Sequence, residues 1–270
     1  MNSVQIIGFG ASVMIGVSLG LIGGGGSILT LPVMVYLLHI SPVISTAYSL
    51  FVVGTTSLVG SVNFMRKGLV NYQAALVFAI PSFTTVFLTR KYLVPAIPDP
   101  LLSFSSFEIS KNVGIMVFFA LIMLAASYSM IKSKKEAQED TNAQLKFNYP
   151  MIALEGGLVG VLTGIVGAGG GFLIIPALVL FARLPMKMAV GTSLLIIAAK
   201  SLIGFLGDLS NLQVEWAFLL PFTGMSVIGI FVGTYISKFI PGEKLKKAFG
   251  WFVLVMGIYI ITKEVFFSGV

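Results

Sequence analysis

Residues 113–131 read VGIMVFFALIMLAASYSMI, a run without a single charged side chain. An apolar stretch of about 18 residues or more can, as a helix, cross the roughly 30 Å hydrocarbon core of a bilayer. Comparable runs recur along the whole chain. In lipid every backbone N–H and C=O must be satisfied internally, so such runs fold as helices. Composition agrees with this reading. Of 270 residues, 57% are hydrophobic and 10% are charged, where a soluble domain carries about 25% charged residues. The chain is therefore predicted to be an all-α polytopic membrane protein. Soluble enzymes, nucleic-acid binders and disulfide scaffolds are excluded as classes. There is no cysteine, which removes disulfides, thiolate metal sites and cysteine nucleophiles. The +7 net charge reads as Lys and Arg in cytoplasmic loops rather than as a nucleic-acid surface. The start, MNSVQIIGFG, lacks the positive region of a cleaved signal peptide, so the first apolar segment is expected to stay.

Five apolar segments precede one hydrophilic stretch, 132-KSKKEAQEDTNAQLKFN-148. Segment A covers 4–22, B 28–38, C 43–63, D 72–89 and E 113–131. A second series follows it: A′ 151–166, B′ 172–182, C′ 189–207, D′ 216–236 and E′ 248–262. The two series align without gaps when residue n is set against residue n + 144. Gly20, Gly23, Gly25, Gly26 and Pro32 then fall on Gly164, Gly167, Gly169, Gly170 and Pro176. Ser49-Leu50 falls on Ser193-Leu194, and 12 of the 41 positions from 20 to 60 are identical. A shared register over glycines, proline and serines indicates an internal duplication. The expected organisation is a first transmembrane repeat at 1–131, a linker at 132–148 and a second repeat at 149–270.

The basic cluster 132-KSKK-135 places the linker in the cytoplasm. Arg66-Lys67 and the loop 238–247 follow it to that side, and the acidic loop 208–215 lies outside. The loop 90–112 falls outside too, although it carries Arg90, Lys91 and Lys111. This assignment works if A and B, and likewise A′ and B′, enter and return on one side. B and B′ have about 11 residues, roughly 16 Å of helix, too short to cross alone. Each pair is then a helical hairpin broken at its glycines, and each half adds three crossings. Halves with an odd number of crossings sit in opposite orientations, the inverted-repeat plan of secondary transporters. Both termini are expected outside.

The clusters 23-GGGGS-27 and 167-GAGGG-171 each open a short helix that runs to a proline. Glycine is poor in a helix interior, by about 1 kcal/mol relative to alanine. A half-helix N-terminus, however, presents free N–H groups and positive dipole, and glycine lets a ligand approach that backbone. Irregular backbone at membrane depth belongs where it lines a cavity. Gly24, Gly25, Gly26 and Ser27 in the first half, with Gly169, Gly170 and Gly171 in the second, are therefore candidate anion ligands. Ser49, Thr192 and Ser193, one turn into C and C′, are candidate hydroxyl donors. Lys200, in 194-LLIIAAKSLIGF-205, is the candidate balancing charge, since a lysine near a helix centre costs roughly 2.5–3.5 kcal/mol. Plainer readings stand beside these. Small residues let helices pack closely, which fits the dispersed Gly156, Gly160 and Gly164. Hydroxyls can bond back to their own helix, and Lys200 can snorkel to an interface. His39 reads as a solvated loop residue and Glu155 as an interfacial one, each with a coupling proton as the alternative. Neither glycine cluster completes a phosphate loop. No enzyme chemistry is legible, since paired in-membrane carboxylates are absent and His39 is the only histidine.

The motif G-[IL]-[IV]-G-x-G-G-x-x-x-x-x-P, present as 20-GLIGGGGSILTLP-32 and 164-GIVGAGGGFLIIP-176, resembles the TauE/SafE sulfite and organosulfonate exporters. The downstream 189-AVGTSLLIIAAKSLIG-204 adds to the likeness, which covers nearly the whole chain. The resemblance implies a prokaryotic inner-membrane permease for small, often sulfur-containing anions such as sulfite, sulfoacetate, related organosulfonates or thio-carboxylates. It also implies drive by an ion gradient, with protons the usual coupling ion. In one departure, Tyr48-Ser49 stands where the second half has Thr192-Ser193, so the first half offers a bulkier wall. The expected partners are a small anion and the lipid bilayer, without nucleic acid, cofactor or metal; a homodimer is left open. Two other classes remain at this stage, an anion channel and a membrane assembly protein whose glycines only pack helices.

Overall fold

Apolar sequence becomes helix almost throughout the computed structural model. It describes residues 3–98, 100–104, 107–132, 149–166, 171–180, 182, 184–209 and 213–266. Helix α1 spans Ser3–Ile22, α2 Gly25–Pro32, α3 Pro42–Arg66 and α4 Tyr72–Leu88. A short α5 (Val94–Ala96) and α6 (Lys111–Lys132) complete the first series. The second series is α7 (Tyr149–Val166), α8 (Gly171–Leu180), α9 (Met186–Asp208), α10 (Trp216–Ile236) and α11 (Gly242–Phe266). Two π-helical turns, Val33–Leu37 and Thr89–Leu93, extend α2 and α4. The loop before α6 holds a two-stranded antiparallel hairpin, β1 (Leu102–Phe104) with β2 (Phe107–Ile109), a departure from a purely helical chain. The linker at 133–148 and residues 167–170 lie outside the described residues.

Among the described residues six helices are long and apolar enough to cross a membrane: α3, α4, α6, α9, α10 and α11. They correspond to segments C, D, E, C′, D′ and E′. The apolar helices α1, α2 with its π turn, and α7 are shorter. After Gly23 the chain doubles back. Gly26 packs against the Ile15 carbonyl and the Leu19 side chain, and a Cβ on Gly8 would meet Leu38 at 2.5 Å. The first two segments thus form an antiparallel hairpin with the glycines at its tip.

The two series pack on each other reciprocally. The pairs α1–α10 and α7–α4 answer one another, and α3–α9, α6–α11 and α2–α8 pair across the halves. Local geometry repeats in the same register. Leu38 N–H donates to Val33 O at 3.1 Å and Ile40 N–H to Met34 O at 3.0 Å. Ala182 N–H to Ala177 O, 3.4 Å, and Leu184 N–H to Leu178 O, 3.0 Å, are the equivalents 144 residues on. The caps of α3 and α9 also match, Ser41 at φ −55°, ψ 144° and Pro185 at φ −55°, ψ 142°. Backbone geometry therefore recurs in the same 144-residue register as the letters.

Close packing of small residues holds the hairpins in place. Gly16 and Gly20 of α1 press on the carbonyls of Ser226 and Ile230, and Gly229 and Gly233 of α10 press on Val13 and Val17. In the other half Gly156, Gly160 and Gly164 lie on Phe78, Ser82 and Thr89. The packing reading holds for these dispersed glycines. Contacts also fix which helix ends share a face. Asn71 N–H donates to Thr192 Oγ1 at 2.9 Å, joining the start of α4 to the start of α9. Burial, and then the nearby Lys238 ammonium, lower the Lys67 pKa, so the ends of α3 and α10 share that face. On the opposite face Glu215 N–H donates to Tyr48 Oη at 2.9 Å.

Candidate functional site

The turn between α1 and α2 is built by glycine because no other residue suits it. Gly23 has φ +78°, a left-handed conformation that costs an L-residue roughly 1–2 kcal/mol. Its N–H still closes the last turn of α1 on Leu19 O at 2.7 Å. Gly24 then caps α2 at φ −109°, without a side-chain cap. Ser27 N–H donates to Gly24 O at 3.3 Å, and the amides of Gly25 and Gly26 before it have no acceptor within the helix.

This turn lies against α9. A Cβ on Gly23 would sit 2.8 Å from Ser193 Oγ and 3.1 Å from Val190 Cα. The start of α8 arrives at the same helix. A Cβ on Gly171 would meet Ile197 Cδ1 at 2.5 Å and, from the other half, Gly24 Cα at 2.8 Å. One turn further along α9, Lys200 Nζ donates to Thr163 Oγ1 of α7 at 2.9 Å. Lys200 is 3% exposed, so snorkelling to an interface does not describe it. Val190, Ser193, Ile197 and Lys200 follow i, i+3, i+7 and i+10, one stripe of a helix. The α1–α2 turn, the start of α8 and the end of α7 therefore converge on a single face of α9. The backbone N–H groups and the ammonium gathered there are hydrogen-bond donors and suit an anion.

The candidate residues divide. Gly24, Gly171, Ser193 and Lys200 are brought together. Gly25 opens α2 beside them. Gly26 packs on α1. Ser27 Oγ donates back to Gly24 O at 2.7 Å, and Ser193 Oγ to Val190 O at 2.8 Å, the back-bonding alternative in both cases. Thr192 is turned about 100° from Ser193 around the helix and is occupied by Asn71; it supports α4 rather than the glycine turns. Ser49, the counterpart of Ser193, is fully buried with no partner for its hydroxyl. Gly169 and Gly170 lie outside the described residues.

Sequence reasoning missed Thr163, whose only signal was its place just before the second cluster. It also missed the buried hydroxyls of Thr56, Ser57 and Ser201, which have no partner. Ser57 and Ser201 fall on each other in the 144-residue register, but the repeat of letters does not show that both hydroxyls are buried without a partner. His39 is exposed, at φ 53°. Glu155 is half-buried on α7, with Oε1 unpartnered. No group of three or more His, Cys, Asp or Glu suited to a metal occurs among the described residues.

The family model of the sulfite exporter TauE/SafE matches residues 8–260. The chain belongs to the TauE/SafE family. It is similar to a probable membrane transporter protein of Xylella fastidiosa, 28% identical over 96% of this chain and 95% of the relative. A probable membrane transporter protein of Bacillus subtilis, YunE, is 24% identical over 91% and 93%. One of Methanocaldococcus jannaschii, MJ0441, is 32% identical over 43% and 48%. No solved structure matches. With its six candidate spans, this TauE/SafE protein is a multi-pass membrane protein of a transporter family.

Proposed function

We propose that this TauE/SafE protein is a secondary exporter of small sulfur-containing oxyanions, of the class of sulfite, sulfoacetate and related organosulfonates or thio-carboxylates. One observation carries the reading: the Gly23–Gly24 turn, the start of α8 at Gly171 and the buried Lys200 meet on one stripe of α9. Glycine-broken short helices in corresponding places of two halves are the expected form of a transporter's binding site. The family's name supports sulfite as the first substrate to test. Reciprocal packing and three spans per half support two inverted halves, 1–131 and 149–270, rocking about the α3–α9 crossing. The basic linker supports a cytoplasmic 132–148, with both termini outside the inner membrane. A proton gradient is the proposed drive.

The test is flux of radiolabelled sulfite and sulfoacetate through the purified protein in vesicles, with and without a pH gradient. Saturable flux that follows the gradient is expected. Flux that ignores the gradient would make the protein an anion channel. Absence of flux for every such anion would sink transport and leave an assembly role.

A further inference from the structure

The two charged side chains buried among the described residues are Lys200, 3% exposed, and Glu264, 6% exposed. Lys200 belongs to the site above. Glu264 lies at the far end of α11, and the Tyr36 hydroxyl donates to its Oε1 at 2.5 Å. Lys263 Nζ stands 3.7 Å above the Tyr36 ring, and Tyr259 meets that ring edge-on at 6.0 Å. A buried carboxylate in a membrane helix is expensive and by default functional.

Tyr36 sits in the π-helical turn Val33–Leu37 that follows Pro32. Wide turns of this kind often mark functional places in helices. Here the turn lies on the return arm of the first hairpin. The same arm begins at Gly24 and Gly25, against Gly171 and the α9 stripe. One continuous arm therefore runs from the anion site to Glu264.

The duplication tests whether packing alone requires these polar groups. Residues 144 positions away from Tyr36, Glu264, Lys263 and Tyr259 are Leu180, Ala120, Phe119 and Ile115. The equivalent helices α8 and α6 are also in contact. The equivalent positions thus carry apolar residues in place of the carboxylate, the phenols and the ammonium. The fold does not need the polar cluster.

We propose that Glu264 is the proton-binding residue of the transport cycle and that Tyr36 links its charge state to the first hairpin. This deepens the proton-coupled reading above and rests on it. Ionised Glu264 accepts a charge-assisted bond, about twice as strong as a neutral one, and holds the arm. Uptake of one proton from solution converts it to the neutral acid, weakens the bond and releases the arm. Anion and proton then act on the same element, which is what coupling requires. The helices packed on α11 are α6, α1, α2 and α9. Of these, α1 and α2 carry no titratable side chain, α6 has Lys111, Tyr128 and Lys132, and α9 has Lys187, Lys200 and Asp208. Lys111 Nζ donates to Val94 O at 2.6 Å.

The experiment compares wild type, Glu264→Gln and Tyr36→Phe in vesicles, measuring sulfite counterflow at equal pH and uptake driven by a pH gradient. Glu264→Gln should keep counterflow and lose gradient-driven uptake by about tenfold, a usual size for a coupling effect. Tyr36→Phe should shift the pH of half-maximal uptake by about half a unit or more. Gradient-driven uptake in Glu264→Gln equal to wild type would overturn the assignment. If Glu264→Gln does not run as a single species in detergent, Tyr36→Phe decides, and an unchanged pH profile overturns the proposal. Wild-type sulfite flux that ignores the gradient, or is absent, would instead remove the reading on which it rests.

Discussion

Gly171 stands so close to Gly24 that a Cβ on it would lie 2.8 Å from the Gly24 Cα. The two residues are 147 apart in sequence and come from different halves of the chain. Backbone on both sides of the contact leaves nothing flexible to move aside. The meeting point of the hairpins is therefore sized for glycine, and the groups around it are donors.

Gly23 and Gly207 separate conformational need from mere composition. Gly23 combines φ +78° with Ser193 Oγ at 2.8 Å from its virtual Cβ, whereas nothing lies within 4 Å of one on Gly207. Gly23→Ala should destabilise by about 1–2 kcal/mol. Gly207→Ala should be neutral or slightly stabilising, since alanine is the better helix former. Thermal unfolding in detergent checks both.

Lys200 should matter through charge. Lys200→Met is expected to raise the KM for sulfite by about tenfold, the scale of one lost charge-assisted hydrogen bond. Thr163→Val, which removes only the neutral partner, should have a smaller effect. Initial rates against sulfite concentration distinguish them, and equal effects would mean that the Lys200–Thr163 bond is structural.

The dispersed glycines should behave as packing residues. Gly16→Val and Gly160→Val place side chains against the carbonyls of Ser226 and Ser82. Both should lower the melting temperature in detergent, and by similar amounts, because the two contacts are equivalents in the duplication.

Helix ends that share a face should label together. The chain has no cysteine, so single cysteines report cleanly. Lys67→Cys and Lys238→Cys should react with a membrane-impermeant thiol reagent from one side. Gln213→Cys, near the α10 start that binds Tyr48, should react from the other.

Much of this arrangement was legible in the letters. Segment D′, expected at 216–236, is helix α10 at Trp216–Ile236, because an apolar run in lipid has no alternative to helix. Segment E′ was placed at 248–262, yet α11 covers Gly242–Phe266. Hydropathy falls where Glu243, Lys244, Lys246 and Lys247 appear, but lysine and glutamate are good helix formers, so the backbone continues. The glycine breaks and their repetition pointed to the place where Gly24 and Gly171 meet, and Lys200 stood out by its cost. Thr192 meets Asn71 and not the glycine turn beside Ser193, because adjacent residues on a helix face different neighbours. The π turn at Val33–Leu37 left no periodic signal. The Tyr36–Glu264 bond joins residues 228 apart, which only the fold can bring together.

If the meeting of Gly24 and Gly171 forms the transport site, filling it must slow transport. The most direct test is the initial rate of radiolabelled sulfite flux in vesicles for wild type, Gly171→Ala and Gly207→Ala, each verified as a single folded species in detergent. Gly171→Ala should lose at least about tenfold in rate, since small misplacements of binding groups carry costs of that order, while Gly207→Ala keeps the wild-type rate. Wild-type flux through a folded Gly171→Ala protein would contradict the account.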